Sequence, residues 1–379
     1  KKKKLFLELL TPPKTLFLMK IHSSVKLYNL LRNLGILKHK NRQEFCVDII
    51  EGLILSRSVT FSDIAEHIDK DIKTSSITRM IQDFFKKIKL NYDKLALLLL
   101  SFVHHKKVHL SMDRTEWDFG KLQINILCIS VSIGKMAVPL YFEMLDNKSG
   151  NSNFTDRIHL LESLVGIIGK KRISLVTMDR EFIGKNWLRW LKKQKIDFCV
   201  RVPKHHKILF PDGSKCTAEE LLAENDGRLC CFRNVIVDNV IVNVSISYGK
   251  DGKLLYLIGT ISVSQLKKTY HKRWTIEVLF QALKGRGFNI EKSHLGHLER
   301  YKKLFALVCL AYTICWATGI EKGRKHPVKL KNHGYPQNSV FRRGRDSVRE
   351  YLKNKKEKFT KIAINKAISK LIATQKIIV

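Results

Sequence analysis

The segment Tyr270-His271-Lys272-Arg273-Trp274-Thr275-Ile276-Glu277, running on to Phe280 and Lys284, holds the residues best suited to chemistry. At about 100° per residue, Tyr270, Arg273, Glu277 and Lys284 fall within an arc of roughly 60° on one helix face. Ile276, Val278, Leu279, Ala282 and Leu283 take the other side and would be buried. The outer face then presents a carboxylate flanked by a phenol and two cations. A solvated face with an incidental Arg273–Glu277 pair has the same periodicity. The chain's composition nevertheless makes the full four-residue spacing a rare coincidence. Two more carboxylates end apolar runs of strand character: Asp113 after residues 108–112 and Asp179 after residues 173–178. Glu116, Asp118, Glu143 and Asp146 compete with Asp113, which is preferred because it ends its run directly; Glu181 competes with Asp179. Trp274 is expected to face the core or a helix edge. His104, His105, His205 and His206 read as solvated or phosphate-facing.

Bringing such carboxylates together requires a particular order of elements. Residues 43–55, 61–68 and 75–88 have helical spacing, the last with Ile77, Met80, Ile81, Phe84 and Phe85 on one stripe. Thr78, Arg79, Lys86 and Lys87 accompany that stripe. Three short helices within an N-terminal region 1–104 suit a helix-turn-helix DNA reader, or a bundle that only packs or dimerises. Strands follow at 108–113, 122–131 and 136–144, then a helix at 154–168, a strand at 173–179, a helix at 186–195 and a strand at 197–202. That order predicts an α/β fold with a ribonuclease-H-like mixed sheet over 105–203. Crossover handedness sets the first and fourth strands side by side and parallel, which places Asp113 and Asp179 together. A β-rich insertion is predicted over 204–260, the last part of the core over 261–325, and a basic tail over 326–379.

Composition limits the partners. The 379 residues contain 70 Lys and Arg against 34 Asp and Glu, a formal charge of +36, which favours a polyanion. With 44% hydrophobic residues the chain can bury a core, so disorder is excluded as its general state. The longest uncharged run, 304–320, is at the lower margin for a bilayer span and reads instead as a buried core helix, with no membrane partner. The first residues lack the apolar continuity of a signal peptide, and Met19 is a candidate start, which would put residues 1–18 upstream of it. Eight scattered cysteines lack zinc-binding spacing and read as buried, reduced thiols of a cytosolic protein.

Ser111-Met112-Asp113, Met178-Asp179-Arg180-Glu181-Phe182 and Tyr270-x2-Arg273-Trp274-x-Ile276-Glu277-x6-Lys284 carry a resemblance. With Ser339-Val340-Phe341-Arg342-Arg343-Gly344 further on, the chain resembles the DDE transposases of bacterial insertion sequences, specifically the insertion-sequence-four family with its Tyr-Arg-Glu-Lys motif. The resemblance spans roughly residues 105 to 350. It implies that Asp113, Asp179 and Glu277 are catalytic and hold two Mg²⁺ ions, with Mn²⁺ able to substitute. Gathered carboxylates repel one another unless cations neutralise them, and hard oxygen ligands suit those ions. It further implies nicking by water at the element's ends and strand transfer by the freed 3′-hydroxyl, with Tyr270, Arg273 and Lys284 holding phosphates. The implied partners are double-stranded DNA, as terminal inverted repeats and target, and a second copy in a homodimer. The implied location is the nucleoid in a bacterial cytoplasm. Two rivals remain: an inactive or domesticated DNA-binding repressor, and a ribonuclease-H-like repair nuclease.

From residue 322 to the end, 17 Lys and Arg face three acidic residues. Arg342, Arg343 and Arg345, with Arg349, form the densest cluster and are expected to bind DNA backbone. A terminal helix at 362–378 is expected to help pair subunits.

Overall fold

The computed structural model describes residues 23–354, apart from 104, 120–121, 146–149, 250, 329 and 333–335. Residues 1–18, His104, Asp146 and the helix expected at 362–378 lie outside the described residues, as does the tail beyond residue 354. The chain divides into two compact units. One is residues 107–279; the other joins the residues up to 106 with those from 280 onward. The sequence reading had carried the core on to 325.

The second of these units begins with α1 (Ser23–Leu34), α2 (Lys40–Ser56), α3 (Phe61–Ala65), α4 (Thr74–Lys87) and α5 (Tyr92–Ser101). Their apolar stripes bury Ile49, Ile50, Leu53, Ile64, Ile77, Ile81, Phe84 and Phe85. The Asn91 side chain caps α5 by accepting from the Lys94 amide at 3.0 Å.

Residues 107–279 are built on a ten-stranded sheet. Its strands are β1 (Val108–Phe119), β2 (Leu122–Ile133), β3 (Met136–Met144), β4 (Ile173–Met178), β5 (Phe198–Arg201), β6 (Ile208–Leu209), β7 (Lys215–Cys216), β8 (Cys230–Val237), β9 (Val240–Tyr248) and β10 (Leu254–Gly259). The order across the sheet is β3-β2-β1-β4-β5-β10-β9-β8-β6-β7. Strand β1 is antiparallel to β2 and parallel to β4, and β4 is parallel to β5, so the first five strands form a ribonuclease-H-like mixed sheet. The β-rich insertion extends this same sheet, because β10 pairs antiparallel with β5.

Helix α6 (Phe154–Ile168) starts at a reciprocal cap between Asn153 and Asp156, and α7 (Lys185–Lys193) follows β4. Leu160, Leu161 and Leu164 of α6 are fully buried, as are Trp187, Leu188 and Leu191 of α7. Trp187 donates its indole N–H to the Met178 sulfur at 3.1 Å, tying α7 to the last residue of β4. Helix α8 (Ala218–Glu224) belongs to the insertion. Helix α9 (Val263–Tyr270) passes through one tight 3₁₀ turn at His271–Arg273 into α10 (Trp274–Leu283).

Beyond α10, the helices α11 (Leu298–Lys325) and α12 (Val340–Lys353) complete the unit of the chain ends. The uncharged run expected to be a core helix lies in α11, whose apolar window is 94% buried against α2, α4, α5 and α12. A Cβ on Gly344 would stand 1.8 Å from the Cys315 carbonyl oxygen, and one on Gly319 2.0 Å from that of Val340. Glycine at both positions is therefore what lets α11 and α12 touch backbone to backbone. Lys303 of α11, 8% exposed, donates to the Phe85 carbonyl at 2.7 Å.

Candidate active site

The parallel pairing of β1 and β4 ends at Met112 opposite Met178, so Asp113 and Asp179 emerge at the same level of the sheet. Asp113 does not end its strand, as expected from the sequence. Strand β1 continues to Phe119 because β2 keeps pairing with it as far as Leu122. It is the parallel neighbour that stops, and this opens space beside Asp113. Asp179, the first residue after β4, caps the following turn, its carboxylate accepting from the Arg180 amide at 2.8 Å. Asp113 accepts from the Arg114 amide at the same distance. Glu277 comes from the first turn of α10.

All three carboxylates converge on the guanidinium of Arg273, which is 8% exposed. Its Nη1 lies 3.0 Å from Asp113 and 3.9 Å from Asp179, and its Nη2 pairs with Glu277. Tyr270 donates its hydroxyl to Asp179 at 2.9 Å. Burial and the Asp179 carboxylate push that phenol's pKa well above its ordinary value, so the group remains a donor. Burial alone would strip charge from Arg273, but Tyr270, Asp179, Asp113 and Glu277 outweigh it and hold the guanidinium charged. Burial raises the Asp113 carboxyl to about 7, against the pull of Arg273 and the Arg114 amide, with Glu181 and Asp179 adding to the rise.

Beneath the carboxylates runs a chain of hydroxyls. Ser111 of β1 bonds to Thr177 of β4 at 3.0 Å and to Ser132 of β2 at 2.8 Å. Thr275 of α10 donates to Ser132 at 2.9 Å, and both Ser132 and Thr275 donate to the Lys272 carbonyl. Three strands are thereby bonded to the turn that carries Arg273, with the Lys272 carbonyl drawn onto side-chain hydroxyls. His109 contacts Thr177 at 3.2 Å, and burial lowers its pKa to about 4, so it is neutral at physiological pH. Sequence reasoning missed this chain. Its signal was the run of Ser and Thr among apolar strand residues, which is unusual for buried positions.

A second ionic layer surrounds Glu181. Arg114 reaches it at 3.4 Å and also pairs with Glu116, while buried Arg157 donates to the Glu181 carbonyl at 2.9 Å. Glu181 thus belongs to a support of the Asp179 turn, and one of its carboxylate oxygens is buried without a hydrogen-bond partner.

Other expectations fare differently. Lys284 lies past the end of α10 and pairs with Glu291 at 2.8 Å, and the 3₁₀ turn after Tyr270 breaks the single helix on which the four-residue arc was drawn. Trp274 is at the helix edge, 57% exposed, and not in the core. Arg345 is 5% exposed, directed at the Arg286 carbonyl and Asp346, which takes it off any DNA-facing surface. It is needed inside because Gly344 draws α12 against α11. Arg343 donates to the His326 carbonyl, and Arg342 is exposed and 3.8 Å from Asp346. His206 is paired with Asp238 at 2.7 Å. Cys231 is exposed, whereas six of the other cysteines are buried.

The donor set suits a hard divalent cation: three carboxylate groups from two strand ends and a helix, around one point of positive charge. Among the described residues no three acidic, His or Cys side chains enclose an ion-sized space in this conformation, because Arg273 holds the centre. Asp113, Asp179 and Glu277 are the residues that would hold the ion.

Fold and site define a class: a ribonuclease-H-like domain with an Asp, Asp, Glu set at the ends of its central strands. Residues 136–314 match the family described as the transposase DDE domain, a stretch that contains Asp179 and Glu277 but not Asp113. The match supports a DDE transposase family for this chain, and with it a function in transposition. Among solved structures, the chain is similar to the piggyBac transposase synaptic complex with hairpin DNA, at 12% identity. That likeness covers 96% of this chain and 84% of that one, with a TM-score of 0.43, a level that lends no support to function. No curated protein matches the chain.

Proposed function

We propose that the protein is a cut-and-paste transposase of the insertion-sequence-four type, which cleaves DNA at the ends of its element and transfers the freed strands into target DNA. The observation that carries this reading is the convergence of Asp113, Asp179 and Glu277 on one buried cation, at the ends of a ribonuclease-H-like sheet. DDE transposases generally use divalent metals, and Mg²⁺, or Mn²⁺ in its place, fits the three carboxylates as a pair of ions. Such ions supply Lewis acidity toward a phosphoryl oxygen and lower the pKa of an attacking water. The chain's own residues do the rest. Arg273 keeps the acidic cluster neutral until another cation takes over, and its guanidinium is then free to meet a substrate phosphate. Tyr270, a permanent donor, serves the same strand. Substrates in this reading are terminal inverted repeats and target duplex, handled by a homodimer associated with a bacterial nucleoid.

The test is incubation of the full chain with Mg²⁺ and duplexes bearing the inverted repeats that flank its gene. Nicks at the repeat ends followed by joined target products are expected, and full activity in Asp179→Asn protein would overturn the reading. Binding without cleavage, even in Mn²⁺, would replace it with a repressor. Cutting of branched junctions without joined products would replace it with a repair nuclease.

A further inference from the structure

The cations that meet no carboxylate gather elsewhere, in the unit formed by the chain ends. A cavity of about 1350 Å³ lies among the α1–α2 turn, the start of α2 and the α4–α5 turn. Seven basic side chains line it against one acidic residue, Glu44. Glu44 is itself engaged by Lys40 at 3.8 Å, and Lys87 by Asp83 at 2.9 Å. Arg32, Lys38, Arg42, Lys89 and Lys94 are exposed and make no ion pair among the described residues. Five like charges around one groove repel one another, a cost that an external polyanion relieves.

We infer that this groove seats the phosphodiester backbone of duplex DNA, alongside the stretch that α4 reads. The inference rests on the DNA-binding reading above and adds the surface that grips the backbone. Helix α4 links the two tasks. Its outward residues Arg79, Gln82 and Lys86 are exposed, and arginine and glutamine are the side chains suited to guanine and adenine edges. The same helix ends at Lys87, which already lines the groove, so a duplex followed along α4 arrives at Lys89 and Lys94. The first turn of α2 carries no acidic residue, and its cap, His39, makes no side-chain cap bond, so its leading amides add to the positive field.

The chemistry favours a duplex over other polyanions. The lining has one aromatic ring, Tyr28, too few to stack the bases of a bound single strand. Its apolar members Ile36, Leu37, Ile88 and Leu90 are buried, so nothing apolar stands ready to enter a lipid layer.

The experiment compares the full chain with a variant in which Arg32, Lys38, Arg42, Lys89 and Lys94 are all alanine. Affinity for a 30-base-pair duplex is measured by fluorescence anisotropy across a range of NaCl concentrations, with thermal melting as the control for folding. Each lost phosphate contact lowers the slope of log affinity against log salt by about 0.9, so a slope smaller by about 3 to 4 is expected. A charge-keeping variant, Arg32→Lys with Arg42→Lys, should keep the original slope. Should the fivefold variant fail to fold, Lys89→Glu with Lys94→Glu should still lower the slope by about 2. An unchanged slope in a folded variant overturns the groove alone. Loss of binding to phosphatidylglycerol vesicles with duplex binding intact also overturns it, in favour of a membrane surface. A wild-type chain that binds no duplex at all would instead overturn the functional reading.

Discussion

Arg273 and Arg42 carry the same group in opposite settings. In the 107–279 unit, Arg273 is 8% exposed and meets three carboxylates. In the unit of the chain ends, Arg42 is exposed on a groove whose cations outnumber its one acidic residue. The first guanidinium neutralises charge that the fold has gathered inside; the second projects charge outward. A formal total of +36 therefore says little about where a polyanion binds. What decides it is which cations the fold leaves unpaired. The C-terminal arginines make the same point, since Arg345 is consumed by packing and Arg343 by a carbonyl.

If the two settings are separate, breaking one should spare the other. The largest effect is expected from Asp179→Asn or Glu277→Gln, which should slow nicking by at least about a hundredfold, since even outer-layer changes at metal sites reach that loss. Duplex affinity should stay within about twofold of wild type, because exposed cations dominate it. A parallel collapse of binding in the same assay would erase the distinction between the regions.

Next in size is Arg273→Gln. Removing one partner of a buried ionic cluster leaves charge uncompensated, at a cost of about 3 kcal/mol. Chemical denaturation in EDTA should show that loss, and saturating Mg²⁺ should recover much of it. A loss of equal size with and without Mg²⁺ would show that Arg273 is not standing in for a cation.

A third effect is pH-dependent. Asp113 titrates near 7 in the folded chain and lower when unfolded, so the native state holds its proton longer. The stability that Asp113 contributes is thus present in acid and lost as pH rises toward about 7 without metal. Metal binding must expel that proton, so Mn²⁺ affinity should rise about tenfold per pH unit from about 5 to 7 and then level off. Calorimetry in buffers of different ionisation enthalpy measures the proton directly. A pH-independent affinity would remove Asp113 from the ligand set.

The smallest effect probes the hydroxyl chain. Thr275→Val removes the bond to Ser132 and should cost about 1 kcal/mol, slowing nicking roughly fivefold. Thr275→Ser should restore the rate. Equal rates for threonine, serine and valine would show that the chain does not position α10.

Much of the fold was legible because its signals are local. The helix expected at 154–168 is found with those bounds, and β4 ends one residue before Asp179. The shared level of Asp113 and Asp179 followed from crossover handedness alone. What stayed hidden depended on partners distant in sequence. The end of β1 was misplaced because the continuing strand is set by β2, and the burial of Arg345 depends on how closely Gly344 lets α12 approach Cys315. The 3₁₀ turn at His271–Arg273 leaves no mark in periodicity, because the hydroxyl of Ser132, far upstream, helps hold it.

The division of the chain has a consequence for its birth on the ribosome. The 107–279 unit is continuous, so its sheet can close as soon as that stretch has emerged. The other unit is interrupted. Its first helices must wait for α11, and the apolar run in α11 stays uncovered until the two glycines bring α12 against it. Release of a chain cut short before α12 would leave an apolar segment of near-membrane length without cover, a substrate for chaperones and proteases. Full-length synthesis thus acts as a checkpoint, and only a finished chain can assemble the basic groove together with the helices that support it.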